Sequence, residues 1–67
     1  MLLKTLFKES EHGQYRAEIH QESETDFYVE YYSPAGSIKR VTYKNSSVLF
    51  VEDMASNWLN SIRVLNG

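Results

Sequence analysis

The amino-acid sequence predicts an α+β fold: an antiparallel three- to four-stranded β-meander with one C-terminal amphipathic helix packed on one face. Three observations predict it. Between Val51 and Leu65 the apolar residues Val51, Met54, Ala55, Trp58, Leu59, Ile62 and Leu65 recur at helical spacing and form one stripe. Glu52, Asp53, Ser56, Asn57, Asn60, Ser61 and Arg63 fill the opposite, solvated face. Upstream, Gln14–Gln21 alternates, with Tyr15, Ala17 and Ile19 on one side and Arg16, Glu18 and His20 on the other. Asp26–Tyr32, rich in aromatic and β-branched residues, is the strongest strand.

Taken in order, residues 2–9 mix apolar and charged positions and read as a first strand, with a frayed terminus or a short helix as the alternatives. Ser10-Glu11-His12-Gly13 supplies a turn, in which Gly13 can take positive φ without a Cβ clash. Gln14–Gln21 follows as the second strand, then the short acidic connector Glu22-Ser23-Glu24-Thr25. After Asp26–Tyr32, a three-residue loop Pro34-Ala35-Gly36 fits a hairpin, with Gly36 in the left-handed position of a bulge. That loop pairs Ser33 with Ser37, Tyr31 with Lys39, Val29 with Val41 and Phe27 with Tyr43. On the other face it sets Glu30 against Arg40, Tyr28 against Thr42 and Tyr32 against Ile38. Apolar groups then share one face while opposite charges pair on the other, as cross-strand energetics prefer. Lys44-Asn45 ends the fourth strand. Ser46 or Ser47 can cap the helix, which begins between residues 47 and 51, and Asn66-Gly67 is a stop signal. The expected core sets Tyr15, Ala17, Ile19, Phe27, Val29, Val41 and Tyr43 against Met54, Trp58, Leu59 and Ile62.

Composition narrows the function classes. Residues 1–67 read as a single small β-meander plus helix domain, with a small core and self-association as a means of enlarging it. The sequence contains no cysteine, which excludes disulfides, thiolate metal sites and thiol nucleophiles and points to a reducing cytoplasm. Seven basic and nine acidic residues lack the basic excess of a duplex-DNA binder. The opening Met-Leu-Leu-Lys-Thr-Leu-Phe-Lys is too short and too interrupted by lysine for a signal peptide or membrane span. Five Tyr, three Phe and one Trp argue against disorder.

Candidate chemistry is sparse. His20 and Glu22 could offer two metal ligands, but a zinc site needs three or four and His12 sits in a turn. The serines fall in turns and on the polar helix face, without the base and orienting partner a nucleophile requires. Glu22, Glu24 and Asp26 share a connector whose exposure would leave their acidity ordinary. The three glycines are isolated and cannot form a phosphate loop. The expectation is therefore a non-enzymatic chain with no catalytic residue, no metal and no cofactor.

The informative surface is the sheet face away from the helix, which displays Arg16, Glu18, His20, Tyr28, Glu30, Tyr32, Ile38 and Arg40. Tyr and Arg concentrate binding energy at protein interfaces, so Tyr28, Tyr32, Ile38, Arg40 and Arg16 are the candidate protein-binding residues. The competing explanation is structural, since tyrosines are good strand residues and shield the backbone of a thin sheet. Bases could also stack on Tyr28 and Tyr32, but Glu18 and Glu30 on the same face oppose phosphates.

The segment Phe50-Val51-Glu52-Asp53-Met54-Ala55-Ser56-Asn57-Trp58 resembles a helix of small uncharacterised proteins of tailed cyanophages, in which a strand-rich first half precedes it. Met54 and Ser56 depart from that pattern. The resemblance implies a phage protein made in the cytoplasm of an infected cyanobacterium, and it implies neither an activity nor site residues. The expected function is a small cytoplasmic accessory protein that binds a host protein through the helix-free sheet face. Self-assembly through that face or an edge strand is the alternative, single-stranded nucleic-acid binding ranks third, and no membrane partner is expected.

Overall fold

A computed structural model describes residues 1–62; Arg63, Leu65 and the stop signal Asn66-Gly67 lie outside the described residues. Four strands, β1 (Leu2–Ser10), β2 (Gly13–Gln21), β3 (Phe27–Ser33) and β4 (Gly36–Tyr43), form one antiparallel sheet in chain order. The helix α1 (Val48–Asn60) packs against the sheet. The fold is thus the expected α+β meander, with the segment at residues 2–9 forming a strand that extends to Ser10.

Both hairpin glycines take positive φ, 124° at Gly13 and 130° at Gly36, a region that L side chains rarely adopt. At Gly13 a Cβ would also stand 2.9 Å from the Pro34 Cβ, so the two hairpin loops pack together at one end of the sheet. At the other end Asn45, with φ of 54°, donates its backbone N–H to Asp26 Oδ1 at 3.1 Å, and Ser46 N–H donates to the Thr25 carbonyl at 2.8 Å. These bonds aim the chain from β4 into the helix. Ser47 is the N-cap; its hydroxyl accepts the Phe50 N–H at 3.2 Å, and the first helical residue is Val48.

From Phe27–Tyr43 to Tyr31–Lys39 the β3–β4 register is as expected. Near the loop it departs. Only Pro34 and Ala35 form the loop, Ser33 pairs with Gly36, and Tyr32 pairs with Ser37 rather than with Ile38. The additional residue is therefore a bulge in β4 at Ile38 and not a third loop residue. A second irregularity lies at Leu3, after which Lys4 opposes Ile19 and β1 runs regularly to Ser10.

The helix lies over β2 and its neighbours β1 and β3, and reaches β4 least. Its buried line is Val51, Ala55 and Leu59, packed on Ala17, Ile19, Phe27, Val29 and Tyr31. Leu6, Tyr15, Val41, Tyr43 and Trp58 complete this core from its margins. Three expectations about the core are corrected. Ile62 lies beyond the helix C-cap Ser61 and does not join the core cluster. Met54 is 39% exposed, because a line advancing by four residues from Val51 leaves it to the side. Tyr31, absent from the expected core, is 2% exposed under Trp58, with ring centroids 4.3 Å apart. Burial pushes the Tyr31 phenol well above its ordinary pKa. Lys39 closes the open flank, its ammonium 5.4 Å from the Tyr31 centroid and 5.8 Å from that of Trp58.

Candidate functional site on the helix-free sheet face

Alternation carries the remaining strand residues to the other side of the sheet, where they fall into three cross-strand rows. Phe7, Arg16, Tyr32 and Ser37 make the first, and Thr5, Glu18, Glu30 and Arg40 the second. Leu2, His20, Tyr28 and Thr42 make the third. No described residue of the helix covers them.

Glu18 stands directly opposite Glu30, an arrangement that would ordinarily repel. Each carboxylate is instead engaged by its own donors. Ser37 Oγ donates to Glu30 Oε2 at 2.6 Å and Arg40 Nε donates to Oε1 at 2.7 Å. Arg16 Nε donates to Glu18 Oε2 at 3.2 Å, while the Tyr32 hydroxyl donates to Oε1 at 3.4 Å and His20 Nε2 lies 3.3 Å from it. The Ser37 and Arg40 bonds hold Glu30 below the usual carboxylate range. At Glu18 burial by itself would raise the pKa, but the bonds and charges of His20 and Arg16 prevail and lower it.

The same cations stack on the tyrosines. Arg16 Cζ lies 3.8 Å from the Tyr32 ring centroid, and Arg40 Cζ lies 4.3 Å from that of Tyr28. His20 stacks on Tyr28 from β2, with centroids 4.5 Å apart and planes within 5°. Tyr28 is thus contacted by side chains from both flanking strands. Burial, followed by the nearby Glu18 and Glu30 charges, raises the Tyr32 pKa, so its hydroxyl stays protonated as a donor at neutral pH.

Exposure sorts these groups by depth. The Glu30 and Glu18 side chains are 14% and 21% exposed, against 59% for Arg40 and 39% for Arg16. The carboxylates are recessed and the guanidinium groups stand outermost. Because each arginine bonds its glutamate through Nε, the terminal nitrogens are directed to no partner among the described residues.

Compared with family models, with curated proteins and with solved structures, the chain matches none of them.

Of the candidate binding residues, Arg16, Tyr28, Tyr32 and Arg40 are brought together on this face. Ile38, 52% exposed, occupies the β4 bulge and does not pair with Tyr32, so the apolar patch expected from that pair does not form by direct opposition. Sequence reasoning missed Phe7, which is 58% exposed and directly opposite Arg16. The alternation of β1, with Leu6 inward and Phe7 outward, was the signal that could have found it.

Among the described residues, no group of three or more His, Cys, Asp or Glu side chains is placed to hold a metal ion. No described helix is long and apolar enough to cross a membrane. Between β1 and the helix runs an open groove of about 290 Å³, lined by Lys4, Leu6, Leu49, Glu52, Asp53 and Ser56. Lys4 Nζ lies 3.8 Å from Glu52 Oε2 in it.

Proposed function

We propose that this chain is a small non-enzymatic accessory protein that binds another protein through the helix-free sheet face. The single observation that carries this reading is the uncovered layer of Arg16 on Tyr32 and Arg40 on Tyr28, pinned from beneath by Glu18 and Glu30. Stacking and ion pairing fix these long side chains before a partner arrives, which lowers the entropy cost of binding. Tyrosine and arginine are also the residues on which interface energy concentrates.

The outward terminal nitrogens of the two arginines favour a partner surface that presents carboxylates, for which the planar guanidinium offers paired donors. The likeness of residues 50–58 to the cyanophage helix supports, within the same proposal, a phage protein whose partner is a host protein of the infected cell's cytoplasm.

The test is a tagged pull-down from cyanobacterial lysate, with and without nuclease, comparing the natural chain with a Tyr32→Ala/Arg40→Ala variant that retains its circular dichroism spectrum. Capture of a protein by the natural chain in both halves, and its loss in the variant, supports the reading. Capture unaffected by the substitutions removes this face as the site. Capture that vanishes with nuclease replaces the protein partner with nucleic acid.

A further inference from the structure

We propose that β1 is the interface for a second copy of this chain, the two strands pairing antiparallel about a two-fold axis at Phe7. This goes beyond the docking reading above and can fail independently of it.

The two edges of the sheet differ. β4 carries Ser37, Lys39, Arg40 and Thr42 with a bulge at Ile38, features that discourage strand addition. β1 presents exposed Leu2 (50%), Leu3 (39%) and Phe7 (58%), and Leu49 (72%) lines the groove along it. Its irregularity lies at Leu3, leaving Lys4–Ser10 a regular ladder whose outer backbone groups have no neighbouring strand among the described residues. Lys4, a charge that would otherwise guard this edge, lies 3.8 Å from Glu52 across the groove.

Geometry and charge select one register. An antiparallel two-fold pairing of edges has its axis perpendicular to the sheet, so both helices lie on one side and opposed residues come from the same face. Centred on Leu6, it would set Lys4 against Lys8 of the other copy, a like-charge pair. Centred on Thr5, it would run into the bulge at Leu3. Centred on Phe7, it sets Thr5 against Glu9, Leu6 against Lys8 and Lys4 against Ser10, with no like charges opposed. It also brings Lys8, which has no ion-pair partner among the described residues, to the mouth of the other copy's groove. Among the described residues that groove is lined by the carboxylates of Glu52 and Asp53 and the cation Lys4, so the added lysine complements its charge. Phe7 then meets Phe7, and each copy extends the Arg16–Tyr32 row of the other into one continuous face.

Light scattering over micromolar to millimolar concentration tests this. The natural chain is expected to approach twice its monomer mass of 7.8 kDa. Phe7→Glu and Phe7→Lys are each expected to weaken the dimer by more than about tenfold. Mixing the two variants should restore it, because residue 7 faces its own counterpart only in this register. Phe7→Thr, which keeps strand propensity, carries the same test should a charged variant fail to fold. A monomer mass for the natural chain throughout, a dimer that survives in folded Phe7→Glu, or no recovery on mixing would each overturn the proposal.

Discussion

Glu18 and Glu30 face each other across β2 and β3, and their tolerance rests on four particular donors and a histidine ring rather than on distance. Because both carboxyls are held below their ordinary range, they contribute stability that is present above the unfolded value of about 4.3 and is lost as pH falls through the folded value. Asp26, lowered chiefly by the Asn45 backbone N–H, acts in the same direction. Urea midpoints recorded across a pH series should therefore decline on acidification below about pH 4.5, and Glu30→Gln should flatten that decline. An unchanged slope in the variant would remove Glu30 from the account. At the same scale, Tyr32→Ala should weaken partner binding by about 2 kcal/mol while the fold persists, read by calorimetry against the partner once captured.

Single elements show which local rules hold. Ser47 sits where a helix cap was expected, since its hydroxyl satisfies an amide that the first turn leaves unpaired. Ser47→Ala is expected to cost about 1 kcal/mol, measured by urea unfolding. The β1–β2 hairpin makes a stricter demand at Gly13, where positive φ coincides with the approach of Pro34. Gly13→Ala should lower the melting temperature, whereas replacing exposed Glu11 beside it by Ala should leave it nearly unchanged. The β3–β4 hairpin obeyed its charge and apolar pairing from Phe27 to Tyr31, and those pairs were legible in residue type alone. The bulge at Ile38 was not, because placing the additional residue in the loop or in the strand leaves every pair beyond Tyr31 unchanged.

For the whole molecule, a helix laid over β2, β1 and β3 makes Leu59 the far end of the only described helical line into the core. Leu59→Ala should destabilise by about 2–5 kcal/mol, a large part of what so short a chain can possess. Calorimetric melting would check it, and a loss below about 1 kcal/mol would show that the core closes without that contact. At the β1 edge, where Phe7 and Leu49 are exposed, the proposed pairing of two copies would extend this scale beyond the single chain.

Periodicity is a local property, and what depends on it was determined by the sequence. The alternation of Gln14–Gln21, the apolar stripe from Val51 and the turn residues at Gly13 and Gly36 each follow from neighbouring residues and backbone sterics. They establish a meander of three to four strands, one helix and the identity of the helix-free face; the structure makes residues 2–10 the additional strand. Three features required the tertiary structure. Met54 or Tyr31 becomes core according to the lateral position of the helix on the sheet, which packing sets. Arg16 and Arg40 stack on tyrosines because the sheet's register brings separate strands to within a few ångströms. Phe7 joins their face because β1 pairs beside β2 with its bulge confined to Leu3. Each is a contact between segments distant in sequence, settled by which arrangement buries the most apolar surface without stranding a charge.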